Sequence, residues 1–197
     1  MTGAVVAAAL TSLAAGIAGA GPAPAQQRLT RDQVVMALAA ATAQAPADFS
    51  GKDLSGLDLS GIDFKRADLS RCRLVKTNLA KAQLFSVTLS DAVATEADFT
   101  AAQLDASVMY RVDMRHAILR DASLFAVIAY DADFSDADLT GARIISPMSH
   151  ARFARATLSH ANLGADLLGA ILRNIRGRDS IRGLDRAVHA DQAVFND

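Results

Sequence analysis

From Ala47 to Ser146 the sequence repeats every five residues, with no insertion or deletion. Twenty units follow one another, the first running from Ala47 to Gly51. The middle residue of a unit is Leu, Phe, Met or Ile in eighteen of the twenty, the exceptions being Ala94 and Ala129. The residue two places before it is usually small or apolar, and the two residues after it are mostly polar or small. This period limits the possible folds more than any other feature of the chain.

A period of five residues fits neither regular secondary structure. In an α-helix each step of five advances about 500°, so the middle residues would be scattered around the helix. In a flat strand, five is an odd number, and successive middle residues would point to opposite faces. A chain that turns once per unit removes the conflict. Every middle residue then points to a common axis, with the small residue two places before it (position −2) beside it.

These units resemble the pentapeptide-repeat family, whose motif is A-(D/N)-L-x-x. The resemblance covers about half of the chain strictly, from Ala47 to Ser146. It implies an all-β solenoid, the right-handed quadrilateral β-helix, with four units per coil and the middle and −2 residues inside. Twenty units would make five coils, each rising about 4.8 Å if neighbouring coils pair as ordinary strands do.

An N-terminal capping α-helix is predicted before the repeats, in the segment 26–46. Residues 30–44 have helical character, with Thr30 as N-cap and Gln33 at the third helical position, the pattern of a capping box. Pro46 disfavours helix beyond this point. We expect the helix to cover the open edge of the first coil, since exposed strand edges promote aggregation.

Residues 1–25 are interpreted as a signal peptide. They are uncharged apart from the amino terminus, rich in Ala, Gly and Val, and end in an A-x-A-like cleavage site at Ala25. This predicts a periplasmic or secreted bacterial protein. No Lys or Arg precedes Arg28, however, so the basic region of a typical signal peptide is missing. An uncleaved membrane anchor and a cytoplasmic protein are the alternatives.

The repeat loses its phase after Ser146. The step from Ile144 to Phe153 is nine residues, one short of two units, and another residue is lost before Leu167. We therefore expect an insertion-prone stretch from Pro147 and a solenoid that continues, less regularly, over 47–175. The polar tail, 176–197, is expected to form an irregular cap or to lie along a face of the solenoid.

The sequence contains no pattern typical of catalysis or of a cofactor. The aspartates that precede the middle residues (position −1) suit hydrogen bonds to backbone amides in turns. Histidines 116, 150, 160 and 189 lack the spacing of metal ligands, and no nucleophile elbow or phosphate-binding loop is present. The lone cysteine, Cys72, occupies a −2 position and is expected to be buried. We predict no catalytic residue, cofactor, metal or small-molecule substrate.

The net charge argues against nucleic-acid binding. The whole chain carries −1, and the repeats carry 15 acidic against 11 basic residues, a net −4. The stretch from Lys65 to Lys81 is itself rich in basic residues.

One group of apolar residues occupies positions that should face water. On one side of the solenoid, polar residues give way to large apolar ones in the later coils, and the adjoining side adds phenylalanines. Tyr110 and Tyr130 would lie one coil apart, close enough to stack. Exposed apolar patches often mark interfaces. The predicted interface comprises Phe85, Val108, Tyr110, Phe125, Ile128 and Tyr130.

These features favour a non-enzymatic scaffold or protein-interaction module of the bacterial envelope, a rigid rod that binds an unknown protein partner or a second copy of itself. No nucleic-acid partner is expected, and a membrane association only if residues 1–25 are not cleaved. The alternative is implied by resemblance to the topoisomerase-protecting pentapeptide-repeat proteins, dimeric rods regarded as DNA mimics. The near-neutral charge and the predicted signal peptide disfavour it.

Overall fold

The computed structural model describes residues 26–195, which form a four-sided parallel β-helix behind a short N-terminal helix. In the first coils parallel bridges join the −1 residues to the residues twenty positions later, as in Asp48–Asp68 and Thr88–Val108. Twenty residues therefore make one coil. The predicted all-β solenoid with four units per coil is confirmed. The predicted signal peptide, residues 1–25, lies outside the described residues.

The four sides and the coils are named as follows. Faces 1, 2, 3 and 4 are the columns of units whose first middle residues are Phe49, Leu54, Leu59 and Phe64, and corner 4/1 is where face 4 leads into face 1. Coils 1 to 6 comprise residues 47–66, 67–86, 87–106, 107–126, 127–145 and 146–164.

In a unit with aspartate at −1 every backbone amide has an acceptor, as the unit 67–71 illustrates. Its −2 amide donates to the middle carbonyl of the preceding unit (2.8 Å), and its −1 amide to a carbonyl of the previous coil (2.9 Å). The amides of its middle residue and of the residue two places after it (position +2) donate to carbonyls of the next coil (2.7 and 2.9 Å). The remaining amide, of Ser70 one place after the middle residue (position +1), donates to the Asp68 carboxylate at 2.8 Å. The aspartate at −1 thus completes the hydrogen bonding of the turn.

The interior is filled by two residues of each unit. Middle residues from Phe49 to Leu172 are buried, and so are most −2 residues, including Cys72 as predicted. The Cys72 thiol donates to the Phe49 carbonyl at 2.8 Å, and burial raises its pKa to about 12. Such a thiol stays protonated and is a poor nucleophile.

The corners are tight turns with a left-handed residue at +2. Ala106 and Ala126, for example, have φ of 58° and 55°. Two later corners lack this residue, because the step from Ile144 to Met148 and that from Leu163 to Leu167 are four residues in place of five. The insertion-prone stretch predicted from Pro147 is therefore wrong. Met148 is a fully buried middle residue, and the phase is lost through a shortened turn that removes one corner residue.

Coils five and six consequently contain nineteen residues, as the bridge Asp133–Arg152 shows. The three regular strands all lie on face 4, the last two of them at the shortened corners. They are β1 (Ser123–Phe125), β2 (Arg143–Ile145) and β3 (Asn162–Leu163), paired in parallel in that order.

Helix α1 (Arg31–Ala40) covers the first coil. The predicted capping box is present, with Thr30 and Gln33 each accepting the other's backbone amide. Val34 and Leu38 are buried against the core. The helix is shorter than the predicted 30–44, because the chain turns at Thr42, whose hydroxyl accepts the Ala45 amide at 3.1 Å. Within residues 26–195, no helix is both long and apolar enough to cross a bilayer.

The C-terminal segment continues the coil path in wider turns. It contains three short 3₁₀ helices (Arg178–Ser180, Leu184–Arg186 and Ala190–Gln192), each followed by a residue in a parallel bridge to the coil before it. Ile181, Leu184 and Phe195 are partly buried against the core.

Two serines of one −2 column provide a test of the interior packing. The buried Ser107 hydroxyl has no hydrogen-bond partner among residues 26–195, whereas the Ser146 hydroxyl donates to Leu124 and accepts the Val127 amide. We expect Ser107→Ala to leave the free energy of unfolding unchanged or raise it by up to about 1 kcal/mol, and Ser146→Ala to lower it by about 1–2 kcal/mol. Urea unfolding of both variants measures this, and equal effects would contradict it.

Candidate interaction surface

The six predicted interface residues lie together on two adjoining faces and are called the aromatic surface below. Val108, Ile128, Tyr110 and Tyr130 lie on face 1, in coils 4 and 5, and Phe85 and Phe125 on face 4, in coils 2 and 4. The side chains of Phe85, Phe125 and Tyr130 are 58%, 42% and 36% exposed. The other three are half-buried.

Neighbouring aromatic rings contact one another as their column positions predict. The ring centroids of Tyr110 and Tyr130 are 5.6 Å apart, with planes inclined by 57°. This tilted contact is among the favourable geometries of aromatic pairs, and it holds both rings on the surface. The two tyrosines therefore form one preorganised feature.

The tail does not lie over this surface. Phe195, the last described residue, packs at the C-terminal end, where the Arg178 guanidinium lies 4.9 Å from its ring centroid. The alternative that the tail covers the exposed aromatic residues is therefore wrong for residues 176–195.

Two residues that the sequence analysis did not assign shape the surface on face 4. The Arg143 guanidinium lies over the Phe125 ring, 4.4 Å from its centroid, a cation–π contact between coils 4 and 5. The Asp105 carboxylate, between the two phenylalanines, accepts the Phe125 amide at 3.0 Å and the Ser123 hydroxyl. The one acid within this column is thus held in hydrogen bonds to its own face.

Corner 4/1, which lies within the aromatic surface, carries no charge in coils 2 to 4, where its +2 residues are Ser86, Ala106 and Ala126. In coils 5 and 6 this corner is shortened.

Apolar residues also replace aspartate at −1 on face 1 in coils 4 and 5. Val108 and Ile128 have no side-chain acceptor for the amides of Tyr110 and Tyr130. These two units lack the hydrogen bond from the +1 amide to the −1 side chain and expose more apolar surface. Such departures from the local sequence pattern are expected at functional sites.

The corners that follow faces 1 and 2 are different in character, since they carry both basic and acidic residues in successive coils. Arg111 and Asp91 form a bidentate pair at 2.7 and 2.8 Å, and Arg155 and Asp136 another at 2.8 and 2.6 Å. The two columns read Arg71, Asp91, Arg111, Asp131 and Lys76, Glu96, His116, Asp136, Arg155.

A shallow polar depression of about 510 Å³ lies between faces 1 and 2, where Arg111, Arg152 and His150 meet Asp131 and Asp133. In residues 26–195, no three His, Cys, Asp or Glu side chains converge as a metal site would require. The predicted structural role of the −1 aspartates agrees with their hydrogen bonds. The hydroxyl and amide of Ser50, for example, lower the pKa of Asp48.

Comparison with known proteins identifies the fold. A family profile described as pentapeptide repeats matches residues 47–84, 82–121 and 117–145. A trypsin-treated variant of QnrB1, a plasmid-mediated fluoroquinolone resistance protein, aligns with 76% of this chain and 86% of its own at 17% identity, with a TM-score of 0.52. This likeness shows the right-handed quadrilateral β-helix and nothing beyond the fold.

Two cyanobacterial pentapeptide repeat proteins are also similar. Rfr23 from Cyanothece 51142 is 27% identical over 50% of this chain and 64% of its own, with a TM-score of 0.28. HetL from Nostoc sp. strain PCC 7120, involved in heterocyst differentiation regulation, is 23% identical over 76% and 85%, with a TM-score of 0.26. No curated protein matches the sequence significantly.

The carboxylates give the fold a pH dependence. The Arg155 guanidinium lowers the pKa of Asp136, and the His189 ring lowers that of Asp166. For Asp138, burial alone would raise the pKa, but hydrogen bonds from Thr140 and Arg120 outweigh it and lower it. Groups whose pKa is lower in the folded state stabilise it fully above the unfolded value of about 3.9.

We therefore expect the melting temperature to be constant from pH 7 to 5 and to fall as the pH drops below about 4, through the folded-state pKa values. Asp136→Asn should make that fall shallower, because it removes one of the groups responsible. Thermal unfolding followed by circular dichroism measures both. A melting temperature at pH 3 equal to that at pH 6 would contradict the assignment.

Proposed function

Because this chain belongs to the pentapeptide-repeat family, we propose that it is a non-enzymatic scaffold of the bacterial envelope that binds a protein through the aromatic surface. Proteins of this family are typically non-catalytic. The observation that carries the proposal is the exposure of Phe85, Phe125 and Tyr130 around an uncharged corner. Aromatic enrichment and depletion of charge are the compositional marks of the centre of an interface.

The rod suits this role because its surface is held rigid. Backbone hydrogen bonds fix each coil to the next, and the contacts Tyr110–Tyr130 and Arg143–Phe125 hold the exposed rings. Binding to such a surface loses little conformational entropy. Large aromatic side chains with few rotatable bonds are also the residues that dominate binding energies in interfaces.

The topoisomerase-binding alternative has less support. A DNA mimic needs a continuous negative surface, whereas the corner columns of this rod alternate between basic and acidic residues. Envelope location is proposed from the composition of residues 1–25. Cell fractionation tests it, since a protein confined to the cytosol with Met1 intact would contradict export.

Binding through the aromatic surface is tested with the triple variant Tyr110→Ser/Phe125→Ser/Tyr130→Ser, which changes both faces of that surface. Serine already occupies the tyrosine column in the first three coils, at Ser50, Ser70 and Ser90, so the fold should be retained. A photo-crosslinking side chain at Phe85 in living cells should give a defined protein adduct, which the triple variant loses by about tenfold or more.

The matched control places the same crosslinking side chain at His116, which lies in coil 4 on the corner opposite to the aromatic surface. No adduct is expected from this position. Equal crosslinking from Phe85 and His116, or an adduct that the three substitutions leave intact, would refute binding through the aromatic surface.

A further inference from the structure

We propose that the partner of the aromatic surface is a second copy of this chain, docked face 4 to face 4 with the two solenoids antiparallel. The two-fold axis would lie in the interface, perpendicular to the solenoids, at the level between coils 3 and 4. Coil 1 of each copy then meets coil 6 of the other, coil 2 meets coil 5, and coil 3 meets coil 4. This rests on the proposed function, because it names the occupant of the face 4 part of the aromatic surface; Val108, Tyr110, Ile128 and Tyr130, on face 1, lie beside this contact.

The +1 column of face 4 is complementary to itself in this register. From coil 2 to coil 5 it reads Phe85, Asp105, Phe125 and Ile145. Phe85 and Phe125 project, while the Asp105 side chain between them is hydrogen-bonded to its own face. Phe125 of each copy enters the depression over Asp105 of the other, and Phe85 packs on Ile145. Projections meet depressions, which a closed two-fold interface requires.

The −1 column of the same face is complementary too. In this register Gln83 of coil 2 meets Arg143 of coil 5, and Gln103 of coil 3 meets Ser123 of coil 4. Each pair brings together groups that can donate and accept a hydrogen bond. No two like charges oppose each other in either column.

The outermost coils continue the pattern. In coil 1 the two columns of face 4 carry Asp63 and Lys65, and in coil 6 they carry Asn162 and Gly164. Asp63 therefore meets an amide, and Lys65 meets a position without a side chain. The charged residues of coil 1 are accommodated without a like charge opposite them.

Other arrangements fit less well. If the two-fold axis lay at the level of coil 3, Asp105 would face Asp105 of the other copy, and like charges across an interface are unfavourable. If it lay at the level of coil 4, Phe125 would face Phe125, and two projecting side chains would oppose each other. In a parallel arrangement the +1 column would face the −1 column. Phe85, Phe125 and Ile145 would then meet Gln83, Ser123 and Arg143, and no apolar pair such as Phe85 with Ile145 would form.

The corner beside face 4 permits the close approach. Ala106 and Ala126 are the +2 residues of corner 4/1 at the level of the proposed axis, and the next two turns of this corner are shortened, so no long charged side chain projects from corner 4/1 in coils 2 to 6. The corners that follow faces 1 and 2, with their columns of Arg, Lys, Asp and Glu, point away from this contact.

The first test is sedimentation equilibrium of the full chain and of two variants at one position. Phe125→Asp places a carboxylate against Asp105 of the other copy, and Phe125→Lys places a cation there. We expect a wild-type dimer, a dissociation constant raised about tenfold or more in Phe125→Asp, and a clearly smaller increase in Phe125→Lys. Aspartate and lysine both occur in this column, at Asp105 and Lys65, so both variants should fold.

The second test measures register by pulsed electron spin resonance. Single spin labels are placed at Lys81, Ala101, Asp121 and His160, which form one corner column beside face 4. In the proposed dimer the two labels at one position are offset along the solenoids by three, one, one and five coils, respectively. These offsets correspond to about 14, 5, 5 and 24 Å. The buried thiol of Cys72 should not react with the label.

We expect equal and shortest distances for labels at Ala101 and Asp121, a longer distance at Lys81 and the longest at His160. Four equal distances would show a parallel dimer and overturn the proposal, as would equal weakening by Phe125→Asp and Phe125→Lys. A monomeric wild-type chain whose Phe85 still crosslinks a different protein in cells would refute the self-association but leave the proposed function standing.

Discussion

The backbone hydrogen bond from one coil to the next is the interaction on which the rest of the structure depends. Bonds such as that from the Leu69 amide to the Thr88 carbonyl, at 2.7 Å, recur along every face. They require consecutive coils to have matching lengths, which stacks equivalent residues in columns. This stacking determines the packing of the interior, since every middle side chain meets the equivalent side chains of the coils above and below. It also determines the exterior, because each outer column presents a series of side chains at fixed spacing.

The column arrangement couples local chemistry to surface function. An aspartate at −1 serves its own turn by accepting the +1 amide, as Asp68 does. Where Val108 and Ile128 replace it, that turn gives up a charge-assisted hydrogen bond and the face gains apolar area. Because the backbone bonds between coils persist, the fold tolerates this exchange on a few units. The outward-facing columns can therefore vary and acquire a function, whereas the −2 and middle residues must keep the interior closely packed.

The coil and most of the aromatic surface could be predicted from the sequence, because a five-residue period fixes which positions face inward. The turn at Met148 could not, since a four-residue unit has no sequence signal apart from the phase shift, and Pro147 was interpreted as a break. The contact of Arg143 with Phe125 and the hydrogen bonds of Asp105 were also missed. Both join residues about twenty positions apart through side-chain conformations, which column position alone does not determine.

The alternating charges on the corner that follows face 1 have a consequence for how such a rod can change in length. Arg71, Asp91, Arg111 and Asp131 repeat in sign every second coil, that is, every forty residues. Removing coil 3 or coil 4, or duplicating one of coils 2 to 5, would set two equal charges one above the other on this corner. A change of two coils leaves the alternation intact. Electrostatics therefore favours growth and shortening of this chain in double turns, although the hydrophobic interior would accept single ones.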